Sequence, residues 1–367
     1  LAVTVAVACS ADAAAGRRGG IAFHYASPIS PQLLDWYGHF EVLVTHDPLP
    51  KAQVDALHRR GTRLALYEWS VAFYPSHATE WQRALPPSAL LNRLPLRGHL
   101  GAGDADAFYY DPATAVHERD RAPALVRRLH PIGYDGVFLD TTTAASVHPA
   151  ALAEFEKRHP GLAYDEVFAR FLANLRRELG QEGVIVTNQG YRAAKHYLPY
   201  ADWEVTESLI TYPRDGRFTL RPWLDEADRW NSTAFLVEKL IAPVQRQYPK
   251  VRLAHLNYVE TLDPRRVEEV LAVAYYFGAE AFVTLPSLVA DARSDLYFVD
   301  LGAPRVRRKG YRFFAHGLVV VNRSSGPLRV PNAGGAVYED VATGERFAGR
   351  TLEIAPGRAL MLRKVRR

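Results

Sequence analysis

The sequence predicts a (β/α)8 TIM barrel followed by a small C-terminal antiparallel β-domain. Two observations carry this expectation. Between residues 20 and 287 one unit recurs eight times: a short apolar run, a polar or aromatic end, then a helical stretch. After about residue 310 the helical period is lost, and short alternating runs separated by turn pairs such as Gly334-Gly335 and Thr343-Gly344 replace it.

The strand-like runs are 20–27, 40–46, 63–70, 135–141, 183–190, 203–209, 252–260 and 279–287. Several are almost continuously apolar, as parallel strands buried on both faces require. Helical spacing fills the gaps. Val54 and Leu57 mark a helix over 50–60 that stops at Gly61. Val167, Phe168, Phe171, Leu172 and Leu175 form one stripe over 164–179, with Gly180 beyond it. Asp263-Pro264 is an N-cap followed by proline in the first turn, opening a helix over 264–277. A doubly wound open sheet is the alternative, but no G-x-G-x-x-G turn follows the first run. Segment 75–110 is long for a strand–helix loop, and it is expected to wall the barrel mouth. The expected division is a tail over 1–18, a catalytic barrel over 19–305 and a β-sandwich-like domain, chiefly structural, over 306–367.

Leu1–Ala8 is apolar and small residues follow Cys9, a pattern expected of a secretory signal. Val7-Ala8-Cys9 resembles the end of a bacterial lipobox, with Ala6 where leucine is usual. The expectation is a secreted, periplasmic or cell-surface protein whose membrane contact is confined to a lipid anchor on Cys9. A single cysteine excludes internal disulfides and cysteine-based zinc sites. Lys and Arg number 45 against 40 Asp and Glu, a net charge of +5. Part of that excess lies in clusters at 305–309 and 363–367, without a nucleic-acid motif, so solvated surface is the expectation. No cofactor, metal or nucleic acid is expected, and the chain is expected to be a monomer acting on a polysaccharide.

Barrel active sites form at the C-terminal strand ends. Here those ends carry Tyr25, Asp47, Glu68 with Trp69, Asp140, Asn188, Glu207, and Tyr258 with Glu260. Carboxylates, amides and flat aromatic rings together suit sugar binding and acid–base chemistry. Trp203 is a further candidate stacking surface, whereas His24 and His46 read as structural. The sharpest motif is Gly133-Tyr134-Asp135-Gly136-Val137-Phe138-Leu139-Asp140, a tight turn and apolar strand delivering an acid to the rim. Asp140 competes with a helix N-cap role there, since Thr141 and Thr142 follow it. On the sixth run Glu204 and Glu207 are three apart, so alternation sends only one inward. Glu207, nearer the C-terminal end, is the expected partner of Asp140, with Glu204 in a salt bridge. Strands four and six feed the same interior layer.

The Gly-Tyr-Asp-Gly-Val-Phe-Leu-Asp stretch, Val184-Ile185-Val186-Thr187-Asn188-Gln189-Gly190 and the Glu207-Ser208 strand end resemble, in that order, endo-α-1,4-polygalactosaminidase barrels of glycoside hydrolase family 114 type. His255–Glu260 fits that family's seventh strand more loosely. The resemblance spans about residues 20–300, and the C-terminal β-domain departs from the shortest members. It implies hydrolysis of an α-linked galactosamine-containing exopolysaccharide, with Asp140 and Glu207 as the acid pair. A cationic polymer would suit rim acids such as Asp47, Glu68 and Glu260. The expected roles are Asp140 as nucleophile and Glu207 as acid/base, its pKa raised against Trp203 or Tyr212. Carboxyls ~5–5.5 Å apart would give retention, and ~6.5–9.5 Å inversion. The competing class is an inactive barrel that binds glycans, and the discriminator is whether both acids meet in one open cleft.

Overall fold

The computed structural model describes residues 18–97, 106–224, 227–289 and 291–365, so the Cys9 segment lies outside it. Eight parallel strands form one sheet in chain order: β1 (Gly19–His24), β2 (Phe40–Thr45), β3 (Arg63–Trp69), β4 (Gly136–Asp140), β5 (Val184–Asn188), β6 (Trp203–Glu207), β7 (Arg252–Tyr258) and β8 (Glu280–Thr284). The edge strands β1 and β8 lie side by side, and just beyond them the Tyr25 N–H donates to Leu288 O at 2.8 Å. This is the predicted barrel, with helices between the strands.

The Gly133–Asp140 motif turns out to be a set of backbone devices. Gly133 has φ 74° and ends the helix Arg121–Ile132 in the left-handed conformation glycine favours. Tyr134 accepts the Leu49 N–H on its hydroxyl at 3.0 Å, tying the β2 exit to the β4 entry. Asp135 accepts the Leu64 N–H at 2.7 Å. Gly136 is required by contact, because a Cβ there would sit 1.8 Å from Val184 O on β5. Asp202 repeats the Asp135 device before β6 by accepting the Ile185 N–H at 2.8 Å.

The wall expected over 75–110 is built around β3. Strands Ala72–Phe73, Leu96–Arg97 and Asp106–Tyr109 form a small antiparallel sheet. A second addition, a hairpin of Thr211–Arg214 and Arg217–Leu220, follows β6. No run in the sequence had marked it.

After the barrel come a six-stranded antiparallel sheet and a two-stranded one, Leu328–Pro331 with Thr351–Ile354. Strand Gly317–Val321 is buried on both faces. Val319 and Val321 join the barrel core, while Leu318 and Val320 face a second core with Val330, Leu352 and Ile354. The helix Pro264–Phe277 lies between barrel and β-domain, which is why nearly all of it is buried. Asp263 caps its start by accepting the Arg266 N–H at 3.0 Å.

At that interface Glu268 is fully buried and accepts the Met361 N–H at 2.9 Å, with Arg265 at 3.4 Å. Burial, then the charge of Asp340, pushes its pKa from 4.5 to about 8 against the opposing pull of the Met361 N–H and Arg265. A raised folded-state pKa means the native state holds the proton more tightly than the unfolded chain does. The stability gained from that proton is complete below pH 4.5 and is lost as pH rises toward about 8. Glu268→Gln keeps an acceptor for Met361 and cannot ionise. Its urea-unfolding stability relative to wild type should therefore improve between pH 5 and pH 8.5. A relative stability that worsens over that interval would show that Glu268 is held ionised.

Candidate active site

Alternation on β4, β5 and β6 brings Asp140, Asn188 and Glu207 to the C-terminal mouth, the two acids on strands flanking the amide. The Asn188 Nδ2 group donates to Asp140 Oδ1 at 2.7 Å and to Glu207 Oε1 at 3.0 Å. Two oxygens at those distances from one nitrogen cannot be farther apart than the sum, 5.7 Å. Both carboxyl residues remain partly exposed, so the pair opens to solvent.

The two acids differ in surroundings. Tyr67 donates its hydroxyl to Asp140 Oδ2 at 2.7 Å. Burial raises the Asp140 pKa, against hydrogen bonds from Tyr67, Asn188 and the Thr141 N–H that favour the carboxylate. Burial and then the charge of Asp140 push Glu207 from 4.5 to about 7, with only Asn188 and the Tyr258 hydroxyl opposing. With more donors on Asp140, the proton the pair retains near neutrality belongs on Glu207. Tyr258 and Asp140, rather than Trp203 or Tyr212, are therefore the groups that tune Glu207.

The backbone turns sharply after each of these three residues. Thr141, Gln189 and Ser208 all have positive φ, 53°, 60° and 53°. None is glycine, and Thr141 is β-branched, so the conformation is costly at each position. Neighbouring strands hold it: Gln189 N–H donates to Val205 O at 2.9 Å and Ser208 N–H to Leu256 O at 2.8 Å. Below the site, Glu204 is buried, accepts from the Thr187 hydroxyl at 2.5 Å and from the Tyr191 N–H at 3.1 Å, and has its pKa raised to about 8 by burial. Among the described residues it forms no salt bridge, and it anchors the turn after Asn188 instead.

Other rim residues gather around the pair. Tyr25 packs 5.5 Å from the Tyr67 ring, and Trp69 lies 4.4 Å from Tyr74. Asp47 is exposed at the mouth with its side chain 62% accessible, beside His46. Glu260 is exposed and accepts the Phe218 N–H at 2.6 Å, pinning the hairpin whose Phe218 ring lies 5.2 Å from Tyr258. His24 bonds the Tyr37 hydroxyl at 3.0 Å, a structural role.

Two expectations are corrected. Trp203 is only 1% exposed, at the opposite end of β6 beneath the Arg252 guanidinium, and cannot meet a sugar. It shares the inward face with Glu207 but sits at the strand's first residue, at the barrel floor. Glu68 is 8% exposed and pairs with Arg128 at 2.8 Å toward the helix Arg121–Ile132, so it lines a neighbouring cavity as an ion-paired residue rather than a free rim acid. The alternation that separates Glu204 from Glu207 also separates Glu68 from Tyr67 and Trp69. Applied there, it would have identified Tyr67, the site residue the sequence reading missed. Tyr74 and Phe218 come from the two added sheets and had no strand-end signal.

Two cavities lie near the strand ends, and Glu207 lines one of them. One cavity of about 590 Å3 passes Asp47, Tyr67, Trp69 and Tyr74. Another of about 810 Å3 passes Glu207, Tyr191, Arg221 and Trp230. Among the described residues no group of three or more His, Cys, Asp or Glu side chains is placed to hold a metal. None of the described helices is long and apolar enough to cross a membrane.

If Tyr67 donates to Asp140 as placed, Tyr67→Phe removes a bond that favours the carboxylate. Carboxyl-carbon NMR titration should then show the Asp140 midpoint moving up, with near-UV circular dichroism unchanged. A midpoint that stays or falls would count against this hydrogen bond.

No family model matches the sequence, and no curated protein does. Solved structures share the fold. The glycoside hydrolase domain of PelA from Pseudomonas aeruginosa aligns over 74% of this chain and 96% of its own, at 19% identity and a TM-score of 0.54. The isomalto-dextranase of Arthrobacter globiformis T6, complexed with panose, aligns over 96% of this chain and 73% of its own, at 10% identity and a TM-score of 0.54. An alpha-amylase from Malbranchea cinnamomea covers 95% of this chain and 96% of its own, at 12% identity and a TM-score of 0.52. The architecture of this chain, a (β/α)8 barrel with antiparallel sheets after it, is thus one that glycosidases also use.

Proposed function

We propose that this chain is a retaining glycoside hydrolase cleaving within an extracellular polysaccharide. The observation that carries the proposal is the Asn188 amide bridging Asp140 and Glu207, which keeps their nearest oxygens within 5.7 Å. That bound is compatible with the ~5–5.5 Å carboxyl separation of a double displacement, in which the second acid attacks directly. In the first step an Asp140 oxygen bonds to the anomeric carbon. The glycosidic C–O bond breaks, its electron pair passes to the leaving oxygen, and that oxygen takes the Glu207 proton. In the second, Glu207 removes a proton from water, whose oxygen attacks the same carbon and displaces Asp140.

The finer substrate reading is an α-linked galactosamine-containing exopolysaccharide. Its support is the motif resemblance in β4, β5 and β6, together with two exposed rim carboxylates, Asp47 and Glu260, suited to amino groups. Cleavage inside a chain is read from the motif resemblance, with the cavity beside Glu207 giving room for a further sugar unit. A polymer substrate also accords with the export expected from the N-terminal sequence.

Asp140→Asn and Glu207→Gln should each lose roughly 10²- to 10⁴-fold in turnover of a bacterial galactosamine polymer, read by reducing-end release, while remaining folded. Glu207→Gln should keep more activity on aryl glycosides, whose leaving groups need no proton. The wild-type profile should fall on the alkaline side near pH 7 as Glu207 ionises, and this limb should vanish in Glu207→Gln. Near-normal turnover by Asp140→Asn would sink the assignment, and an inverted first product would make Asp140 the base for water.

A further inference from the structure

The larger cavity differs in charge from the rest of the cleft. Besides Glu207 it is lined by Arg192, Arg221 and Lys239 and by Trp230, which is 64% exposed. Other arginines on the barrel are paired with acids, Arg176 with Asp202 and Arg128 with Glu68 among them. Among the described residues no carboxylate lies within ion-pair distance of these three cations, although the charge of Asp228 acts on Arg221. Asp165, an acid on the same wall, is engaged: its Oδ1 accepts from the Tyr197 hydroxyl at 2.5 Å and the Ala144 N–H at 2.7 Å. Arg221 is anchored by the carbonyls of Ser208 and Leu209 at 3.0 and 3.1 Å and by Asn231 Oδ1 at 2.6 Å. A half-buried guanidinium fixed by three acceptors, two exposed cations and an exposed indole therefore surround one space.

The position of that space assigns its side of the scissile bond. Glu207 lines it and Asp140 does not. A general acid protonates the departing oxygen, so the unit beyond Glu207 is the one that leaves. We infer that this cavity is the leaving-group subsite and takes a sugar unit carrying an anionic substituent, either a carboxylate or a sulfate or phosphate ester. Trp230 offers a flat apolar face to the ring, and Arg192 and Lys239 select the substituent. This deepens the glycosidase reading and rests on it for the side of the bond. The amino-sugar preference then belongs to the opposite side, near Asp47, and the polymer is one of mixed charge.

The test is calorimetric binding to the Asp140→Asn protein, with four probes: digalacturonate, neutral galactobiose, sulfated galactobiose and inorganic phosphate. An anionic disaccharide should bind at least about tenfold tighter than galactobiose in low salt, and Arg192→Ala/Lys239→Ala should abolish the difference. Trp230→Ala should weaken both charged and neutral sugars. Whichever of the carboxylate and the sulfate binds tighter identifies the substituent. Equal binding of galactobiose and the charged disaccharides would overturn the inference. An undiminished preference in the double variant, or inorganic phosphate binding as tightly as the sugar acid, would do the same. Binding is read without turnover, so a charge-selective subsite survives if Asp140 proves dispensable for hydrolysis. Conversely, confirmed hydrolysis without charge selection would reject the subsite alone.

Discussion

Everything at the barrel mouth depends on two carboxyl groups held close enough that ionising one makes ionising the other costly. Two unit charges about 5 Å apart repel by roughly 3 kcal/mol at an effective dielectric near 20. Asn188 reduces the penalty by placing one N–H against each acid, but the amide carries no charge to cancel the repulsion. Below about pH 7 the pair keeps a proton, and the surrounding donors decide its place. Asp140 has Tyr67, Asn188 and the Thr141 N–H, whereas Glu207 has Asn188 and Tyr258. An ionised nucleophile beside a protonated acid is the division of labour that glycoside cleavage needs.

The barrel makes this arrangement rigid. Asn188 stands on the strand between the two acid-bearing strands, so the amide cannot move away from either without disturbing the sheet. Residues forced to positive φ follow all three side chains, each costing on the order of 1–3 kcal/mol. They survive because bonds from the turns to neighbouring strands fix two of them directly, and because Glu204 ties down the segment after Gln189. Strain stands where the chain leaves the sheet and where chemistry is proposed, while the opposite ends of the strands are relaxed and tightly packed around Trp203.

The added pieces give an otherwise symmetric scaffold two unlike flanks. The small sheet after β3 supplies Tyr74 beside Trp69, and the segment after the β6 hairpin brings Arg221 and Trp230 beside Glu207. Far from the mouth, the β-domain grips the helix Pro264–Phe277 through buried acids, Glu268 on the Met361 N–H and Asp340 against Arg265. That interface shares core residues with the barrel, so the β-domain supports the barrel wall rather than hanging from it.

Periodicity alone determined the eight strands, the helix stops and the loss of helix after the barrel, because burial on both faces and backbone capping leave local marks. It also delivered Asp140, Asn188 and Glu207, since strand ends in a barrel converge wherever they lie in the chain. Alternation was equally able to turn Glu68 outward and to bring Tyr67 in. What no local pattern contained was height along the barrel axis, which buried Trp203 at the floor, and contacts between distant segments. Tyr74, Phe218, Arg221 and Trp230 reach the cleft through small sheets and loops whose placement depends on packing against strands far away in sequence. The proton's location was likewise a tertiary matter, because it follows from counting donors contributed by β3, β5 and β7 around two acids on β4 and β6.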